Sequence, residues 1–298
     1  MINIYRWLRT VNFEMSDRIS SELRHPKFFG FAARPSGKLK FLLTALPFIL
    51  SIAIYFTASQ IRHAENPGDK ILPTFSQMGE AVYMMAFEID PRTGERLMLT
   101  DTLSSMKRIF IGMIAASLLG LIIGLNMGLF PGVEALSSVF ITFISIIPPL
   151  SILPIIFITL GVDEFAKIML IFIGTFPLIC RDIYLTVKKI PVEQITKSLT
   201  IGASQFQTTY GIIMPQVIPR LIDTTRLSFG AAWLFLIAAE AIVSDSGLGY
   251  RIFLVRRYLA MDIIIPYVFL ITFLGFAIDW SLKKFVARKY SWYIKSKG

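Results

Sequence analysis

The apolar residues of this chain are gathered into runs, and the runs are long enough to settle its class. A helix needs roughly 18 to 20 apolar residues to cross about 30 Å of hydrocarbon, and five or six stretches approach or exceed that length: Phe41 to Ser59, Thr102 to Phe130, a stretch after Pro131-Gly132 reaching about Ile147, Phe165 to Val187, Leu227 to Val243 and Ile263 to Leu282. Lipid offers no partner for a bare backbone amide, so such runs cross as helices. The expectation is an all-α polytopic membrane helix bundle with about six transmembrane helices. A soluble domain would disperse its 54% apolar residues instead of collecting them.

Charge sets the orientation. A net charge of +10 raises the question of nucleic acid, but its placement argues for a membrane. Lys and Arg cluster in the N-terminal segment (Arg6, Arg9, Arg18, Arg24, Lys27, Arg34, Lys38, Lys40), in a central loop (Lys188, Lys189, Lys197, Arg220) and in the tail (Lys283, Lys284, Arg288, Lys289, Lys295, Lys297). With six spans these three clusters share one side, as the positive-inside rule requires of the cytoplasm. Both termini are therefore placed in the cytoplasm of a multi-pass protein of a bacterial inner membrane, with no nucleic-acid partner. Arg251, Arg256 and Arg257 fall outside in this scheme, where a short amphipathic helix would hold them in water. The first forty residues are polar and basic, unlike a cleavable signal. Ile4, Trp7, Leu8, Val11 and Phe13 make either a surface-lying amphipathic helix or a loosely ordered tail. One cysteine, Cys180, lies in an apolar run and reads as core.

Four segments follow: 1–40, a cytoplasmic N-terminal segment; 41–103, the first span with an acidic external loop that turns at Asp90-Pro91-Arg92-Thr93-Gly94; 104–284, a core containing a polar cytoplasmic loop at 188–226; and 285–298, a basic tail. Within the core, Gly112, Ala115, Ala116, Ser117, Gly120, Gly124 and Gly128 recur at helical spacing, which lets helices approach closely in lipid. Pro148, Pro149 and Pro154 interrupt the next stretch, and irregular backbone at membrane depth is tolerated only against protein or a water-filled cavity. Pro148, Pro149, Ser151, Glu240 and Ser244 are thus candidates for a translocation pathway; Glu240 is an ionisable group in an apolar run, near the outer end of its span. Asp279 is expected to pair with Lys283 one turn on. No phosphate-binding Gly-x-x-x-x-Gly-Lys-Ser/Thr loop occurs, His25 and His63 stand far apart, and neither a metal-ligand cluster nor a nucleophile-base set is evident, so no catalytic or metal residue is assigned.

The central loop carries the most specific pattern. Thr196-Lys197-Ser198 is followed by Gly202-Ala203-Ser204 and then by Ile212, Met214 and Pro215. This resembles the Glu-Ala-Ala loop of ABC importer permeases, with Gly202, Ile212 and Pro215 in register, Met214 in place of Leu, and Thr196, Lys197 and Ser198 in place of Glu-Ala-Ala. Gly202 permits a turn with positive φ, and Pro215 starts or bends the second helix. Ile146-Ile147-Pro148-Pro149-Leu150, Leu160 to Ile168, Ala239-Glu240 and Ser246-Gly247-Leu248-Gly249-Tyr250 extend the resemblance to permeases of the nitrate, sulfonate, taurine and bicarbonate importer group.

That resemblance implies a type I importer permease working by alternating access on a small solute, such as an oxyanion or a sulfonate. It implies as partners a second permease copy, two ABC ATPase subunits that bind ATP and Mg, and a periplasmic or lipid-anchored substrate-binding protein; this chain itself binds no cofactor and hydrolyses nothing. The departure at Thr196 to Ser198 bears on the individual docking contacts. Two other classes are weighed: an ion-gradient-driven secondary transporter, which the dense prolines fit but the lack of mid-span charge does not, and a membrane enzyme, for which only Glu240 qualifies.

Overall fold

The computed structural model describes residues 36–295, and no strand forms among them. These residues fall into two compact units, one ending at Leu72 and one beginning at Pro73. The expectation of an amphipathic helix or tail at the start of segment 1–40 lies outside the described residues.

In the first unit, α1 (Gly37–Glu65) is a 29-residue helix. The hydroxyls of Thr44, Ser51 and Thr57 each donate to a carbonyl four residues back, at 2.8, 2.8 and 2.9 Å, which keeps polar atoms away from lipid. Near the end of this helix, Arg62 grips Asp69 of the following segment with two nitrogens at 2.6 and 3.1 Å, and Ser59 donates to the Leu72 carbonyl at 3.0 Å. Asp69, read from sequence as part of an acidic external loop, is thus one jaw of a clasp. The Arg62 guanidinium bonded to it holds its carboxyl down to about 2.

The second unit opens with α2 (Phe75–Phe87), a helix inside what reads as a loop. A capping box starts it: the Gln77 amide N–H donates to the Thr74 hydroxyl at 3.3 Å, and the Gln77 side chain accepts from the Thr74 amide at 2.8 Å. The expected turn follows, with the Gly94 amide donating to the Asp90 carbonyl at 2.8 Å and Gly94 at φ +71.

Next come α3 (Leu97–Leu129) and α4 (Pro131–Ile146), a 3-10 turn at Pro149–Ile152, α5 (Leu153–Leu160), α6 (Glu164–Val187), α7 (Val192–Thr200), α8 (Met214–Ile242), α9 (Leu248–Arg256), α10 (Met261–Lys289) and α11 (Ser291–Lys295). The small-residue stripe of α3 packs on α6. A methyl group added at Gly112, Gly120, Gly124 or Gly128 would meet Ile171, Ile179, the Cys180 carbonyl or Val187 at 2.8, 2.9, 2.5 or 2.4 Å. Close backbone approach is what maximises dispersion contact where lipid removes the hydrophobic incentive. Around this seam lies the core, including Ile109, Met113, Leu170, Ile183, Leu236 and Tyr267, and Cys180 is buried as expected, in a smaller cluster with Met127 and Ile141.

Among the described residues five helices are long and apolar enough to cross a membrane, and the pair α4 with the Pro149–Leu160 segment, bent by 85°, makes a sixth if it is one span. The fifth span departs from expectation. Instead of beginning near Leu227 after a separate cytoplasmic loop, a continuous helical stretch runs from Gln207 to Ile242, 36 residues, its first seven wound as a π-helix. Arg220 and Arg226 suggested water at that point. Both instead find carboxylates on neighbouring helices, which lets the helix run on.

Candidate functional site

The hairpin that carries the loop pattern is built by local rules. Helix α7 ends at Thr200, and Gly202 follows at φ +91. The Gly202 amide donates to the Leu199 carbonyl and the Ala203 amide to the Ser198 carbonyl, both at 3.0 Å; this crossed pair closes a helix whose first residue past the cap is a left-handed glycine. The second arm starts at once: the Gln207 amide donates to the Ser204 hydroxyl at 3.2 Å and the Gln207 side chain accepts from the Ser204 amide at 2.8 Å, a capping box. Ser198 and Thr208 share a buried hydroxyl bond of 2.9 Å between the arms. Pro215 lies inside the continuous helical stretch, just past the point where the π-wound Gln207–Ile213 segment hands over to α8, and local rewinding of this kind accompanies a proline that lacks a donor.

Of the hairpin candidates, Thr196, Lys197, Gly202 and Ser204 are exposed, Ala203 and Met214 are half-buried, Ile212 is 37% exposed, and Ser198 is buried. Ile201 and Phe206 stand at the tip, 84% and 72% exposed. At its base the Asp182 carboxylate of α6 receives Arg220 Nε at 2.8 Å together with the Thr224 hydroxyl. Arg226 reaches Asp279 of α10 at 3.0 and 3.2 Å. This corrects the expected Asp279–Lys283 pairing: Arg226 is largely buried and needs a counter-charge, whereas Lys283 is exposed and hydrated.

At the opposite end of the bundle lies a buried charge network. Arg108, 2% exposed on α3, makes a two-toothed pair with Glu164 at the start of α6, both contacts 2.6 Å, and reaches Glu240 at 2.6 Å and the Ser246 carbonyl at 2.7 Å. Glu240 is fully buried and also accepts from Ser105 at 2.7 Å and from the Gly249 amide at 2.8 Å. Asp101, also fully buried, accepts from the Gly247 amide at 2.9 Å, Arg251 Nε at 2.8 Å and the Tyr267 hydroxyl at 3.1 Å. Ser105 Oγ accepts the Leu248 amide at 2.9 Å. Lys167 binds Glu164 and the Ser244 hydroxyl, each at 3.2 Å.

The network is therefore a helix cap built from other helices. The first amides of α9, which have no partner inside their own helix, are taken by side chains of α3 and α8, and carboxylates at a helix N-terminus are electrostatically favourable. Asp101, Glu164 and Glu240 face Arg108, Lys167 and Arg251, so the charges balance. Removing one of its buried members, Asp101, Arg108 or Glu240, costs about 3 to 5 kcal/mol because its partner is left unpaired, and removing the half-exposed Glu164 costs less. Gly247 sits at φ +130, and a methyl there would lie 2.5 Å from the Glu240 carboxyl carbon.

Of the pathway candidates, the structure thus brings Glu240 and Ser244 into this network. Pro148, Pro149 and Ser151 lie instead at the bend between α4 and α5, where the Ser151 hydroxyl donates to the Pro148 carbonyl at 2.7 Å. Glu240 does not reach toward headgroups. Arg251 is not held in water either but buried on Asp101, while Arg256 and Arg257 are exposed. Asp101, Arg108, Glu164 and Lys167 are not among the sequence-derived site candidates, Asp101 and Glu164 reading as external acidic residues; the available signal is that Asp101 and Arg108, seven apart, share one face of an otherwise apolar helix.

Residues 109–290 match the model of a family described as binding-protein-dependent transport system inner membrane component. The taurine transport system permease TauC of Escherichia coli (strain K12) is 30% identical over 190 residues, 64% of this chain and 69% of that protein. The bicarbonate transport system permease CmpB of Synechocystis sp. is 28% identical over 180 residues, 60% and 64% of the respective chains. In fold, a chain of the MetNI methionine ABC transporter, solved in an inward-facing conformation, superimposes with a TM-score of 0.55 at 18% identity, covering 64% of this chain and 95% of that one. The matched region takes in the hairpin, the bend and most of the charge network, and the chain belongs to this family, the membrane-spanning permease subunits of ABC importers.

Proposed function

We propose that this permease pairs with a second copy to enclose a pathway for a small oxyanion or sulfonate-like solute, and that its Val192–Pro215 hairpin seats in a cleft of an ATPase subunit that binds ATP and Mg. The observation that carries the coupling is the unbroken helical stretch from Gln207 to Ile242. Force applied at Phe206 enters a helical stretch that continues, through its π-wound start and past Pro215 and Pro219, into a membrane-crossing helix. The bonds to Asp182 and Asp279 pass it on to α6 and α10. Lys188, Lys189, Lys197, Lys283, Lys284 and Arg288 gather at this end, which supports placing the hairpin and the C-terminus in the cytoplasm. A substrate-binding protein delivers the solute at the opposite end. The taurine and bicarbonate permeases among the relatives support the solute class.

The test is a single-cysteine crosslink. Cys180 is buried, so an Ala203→Cys variant presents one accessible thiol beside the hairpin tip. Coexpressed with candidate ATPase subunits, it should crosslink to one of them and not to a substrate-binding protein. No crosslink to any ATPase, with crosslinks forming from a thiol placed elsewhere on the same face, would overturn the docking role of the hairpin.

A further inference from the structure

An apolar cleft of about 570 Å³ opens between α3, α8 and α10, lined among others by Phe110, Ile114, Leu221, Phe229, Leu274 and Ile278. Its few hydroxyls do not ask for a polar guest: Ser117 and Thr225 bond each other at 2.8 Å. On α10 the cleft runs from Leu274 to Leu282, about 12 Å at 1.5 Å per residue. Ser281 lines it, and Ser281 also lines a second groove of about 420 Å³ that continues toward the C-terminus between Trp280, Lys284, Phe285, Arg288 and Lys289. Leu274, Ile278, Ser281, Phe285 and Arg288 follow one helical stripe of α10 through both grooves, so the two adjoin along that helix, the first apolar and the second cationic.

The chemistry of the second half is that of a membrane interface. Lys284 lies 4.3 Å from the centroid of the Trp280 ring, and Lys289 lies 5.6 Å from that of Phe285, so exposed cations sit on aromatic rings of the kind found at headgroup depth. No carboxylate lines the groove. Asp279, the nearest in sequence, is taken by Arg226. A ligand that matches the whole path has a hydrocarbon tail on one side of Ser281 and a negative charge on the other.

We infer that this path binds an anionic phospholipid of the leaflet at the hairpin end, its acyl chain in the cleft between α3, α8 and α10 and its phosphate among Lys284, Arg288 and Lys289. Bound there, the lipid touches α8 at Leu221, Thr225 and Phe229. Zwitterionic lipid fills the apolar half equally well but gains less from three cations.

The full-length chain, exchanged into an equimolar mixture of phosphatidylglycerol and phosphatidylcholine and extracted in mild detergent, is examined by native mass spectrometry for retained lipid. The wild type retains phosphatidylglycerol selectively. The triple variant Lys284→Gln, Arg288→Gln, Lys289→Gln loses about a hundredfold in preference for the anionic lipid, taking about fivefold per cation. Ala277→Trp, which fills the cleft while leaving the cations in place, loses retained phosphatidylglycerol as well. A charge-matched control, Lys70→Gln, Arg256→Gln, Arg257→Gln, keeps it, and all three variants are compared by size-exclusion profile to establish that they fold. Equal loss in the control, retention unchanged in the triple and cleft variants, or crosslinking of an introduced Ala277→Cys to a second copy that occupies the cleft would each overturn the assignment. The readout needs no ATPase, so this site and the coupling role stand or fall separately.

Discussion

Gly247→Ala tests the charge network through its tightest point. The substitution places a methyl 2.5 Å from Glu240 Cδ and Oε1 and 2.6 Å from Oε2, at a residue held at φ +130. The backbone conformation alone costs a non-glycine residue about 1 to 3 kcal/mol. To make room, the Glu240 carboxylate must leave Arg108, Ser105 and the Gly249 amide, with which it bonds at 2.6 to 2.8 Å, and loosening a buried, hydrogen-bonded charge pair costs about 3 to 5 kcal/mol when complete. Allowing for relaxation, the variant should lose about 4 kcal/mol, a fall of roughly 10 °C in apparent melting temperature for a unit of this size. Fluorescence-detected size-exclusion after heating in detergent measures it. Gly230→Ala is the control, since an added methyl there has nothing within 4 Å. If the clash is the cause, Glu240→Ala and Gly247→Ala combined lose less than the sum of the two. Gly247→Ala melting together with Gly230→Ala would refute the packing argument.

Three further outcomes are expected. Gly124→Ala, whose new methyl would stand 2.5 Å from the Cys180 carbonyl, should force α3 and α6 apart and lower stability by about 1 to 3 kcal/mol in the same heating assay, whereas Gly132→Ala, with nothing within 4 Å, should not. Asp279→Asn should destabilise where Lys283→Gln does not, and exchanging the charges as Arg226→Asp with Asp279→Arg should restore part of the loss. For the Arg62–Asp69 clasp, a folded pKa of about 2 below the ordinary value near 4 means its contribution is complete above about pH 4 and disappears as pH falls through about 2. Hydrogen exchange at the Ile71 amide, which donates to Asp69 at 3.3 Å, should therefore remain protected at pH 4 and lose protection near pH 2, while Asp69→Asn should leave it unprotected at both.

Much of this architecture was legible because lipid allows few solutions. Unbroken apolar length placed α1, α3, α6 and α10, and the small residues at Gly112, Gly120, Gly124 and Gly128 marked the α3 face that meets α6. Gly202 was readable since it answers a local backbone need, a positive φ, whereas Pro215, expected to start or bend the second helix, falls inside a helical stretch that begins at Gln207. What escaped were features decided by tertiary partners. Arg220 and Arg226 looked like loop residues because a charge without its partner reads as a preference for water; only the fold supplies Asp182 and Asp279. Asp101 counted toward an acidic loop for the same reason, though it is fully buried and bonded. Helix α2 was missed through its short length, yet Thr74 and Gln77 spell a capping box that a closer reading of that loop would have caught. At the hairpin, Ser198 departs from the family's Ala, and its hydroxyl acquires a meaning only with Thr208 beside it.

The account turns on whether the hairpin couples ATP hydrolysis to this permease. The most direct measurement is the ATPase rate of the purified complex with its ATPase subunits, for the wild type, for Gly202→Val and for Pro215→Ala. Valine cannot adopt φ +91 without about 1 to 3 kcal/mol of strain, enough to open the turn in a large share of molecules. A stable wild-type complex whose hydrolysis drops severalfold in Gly202→Val, with the permease itself still folded, is the predicted result. A Gly202→Val complex that assembles and hydrolyses ATP at the wild-type rate would contradict the claim.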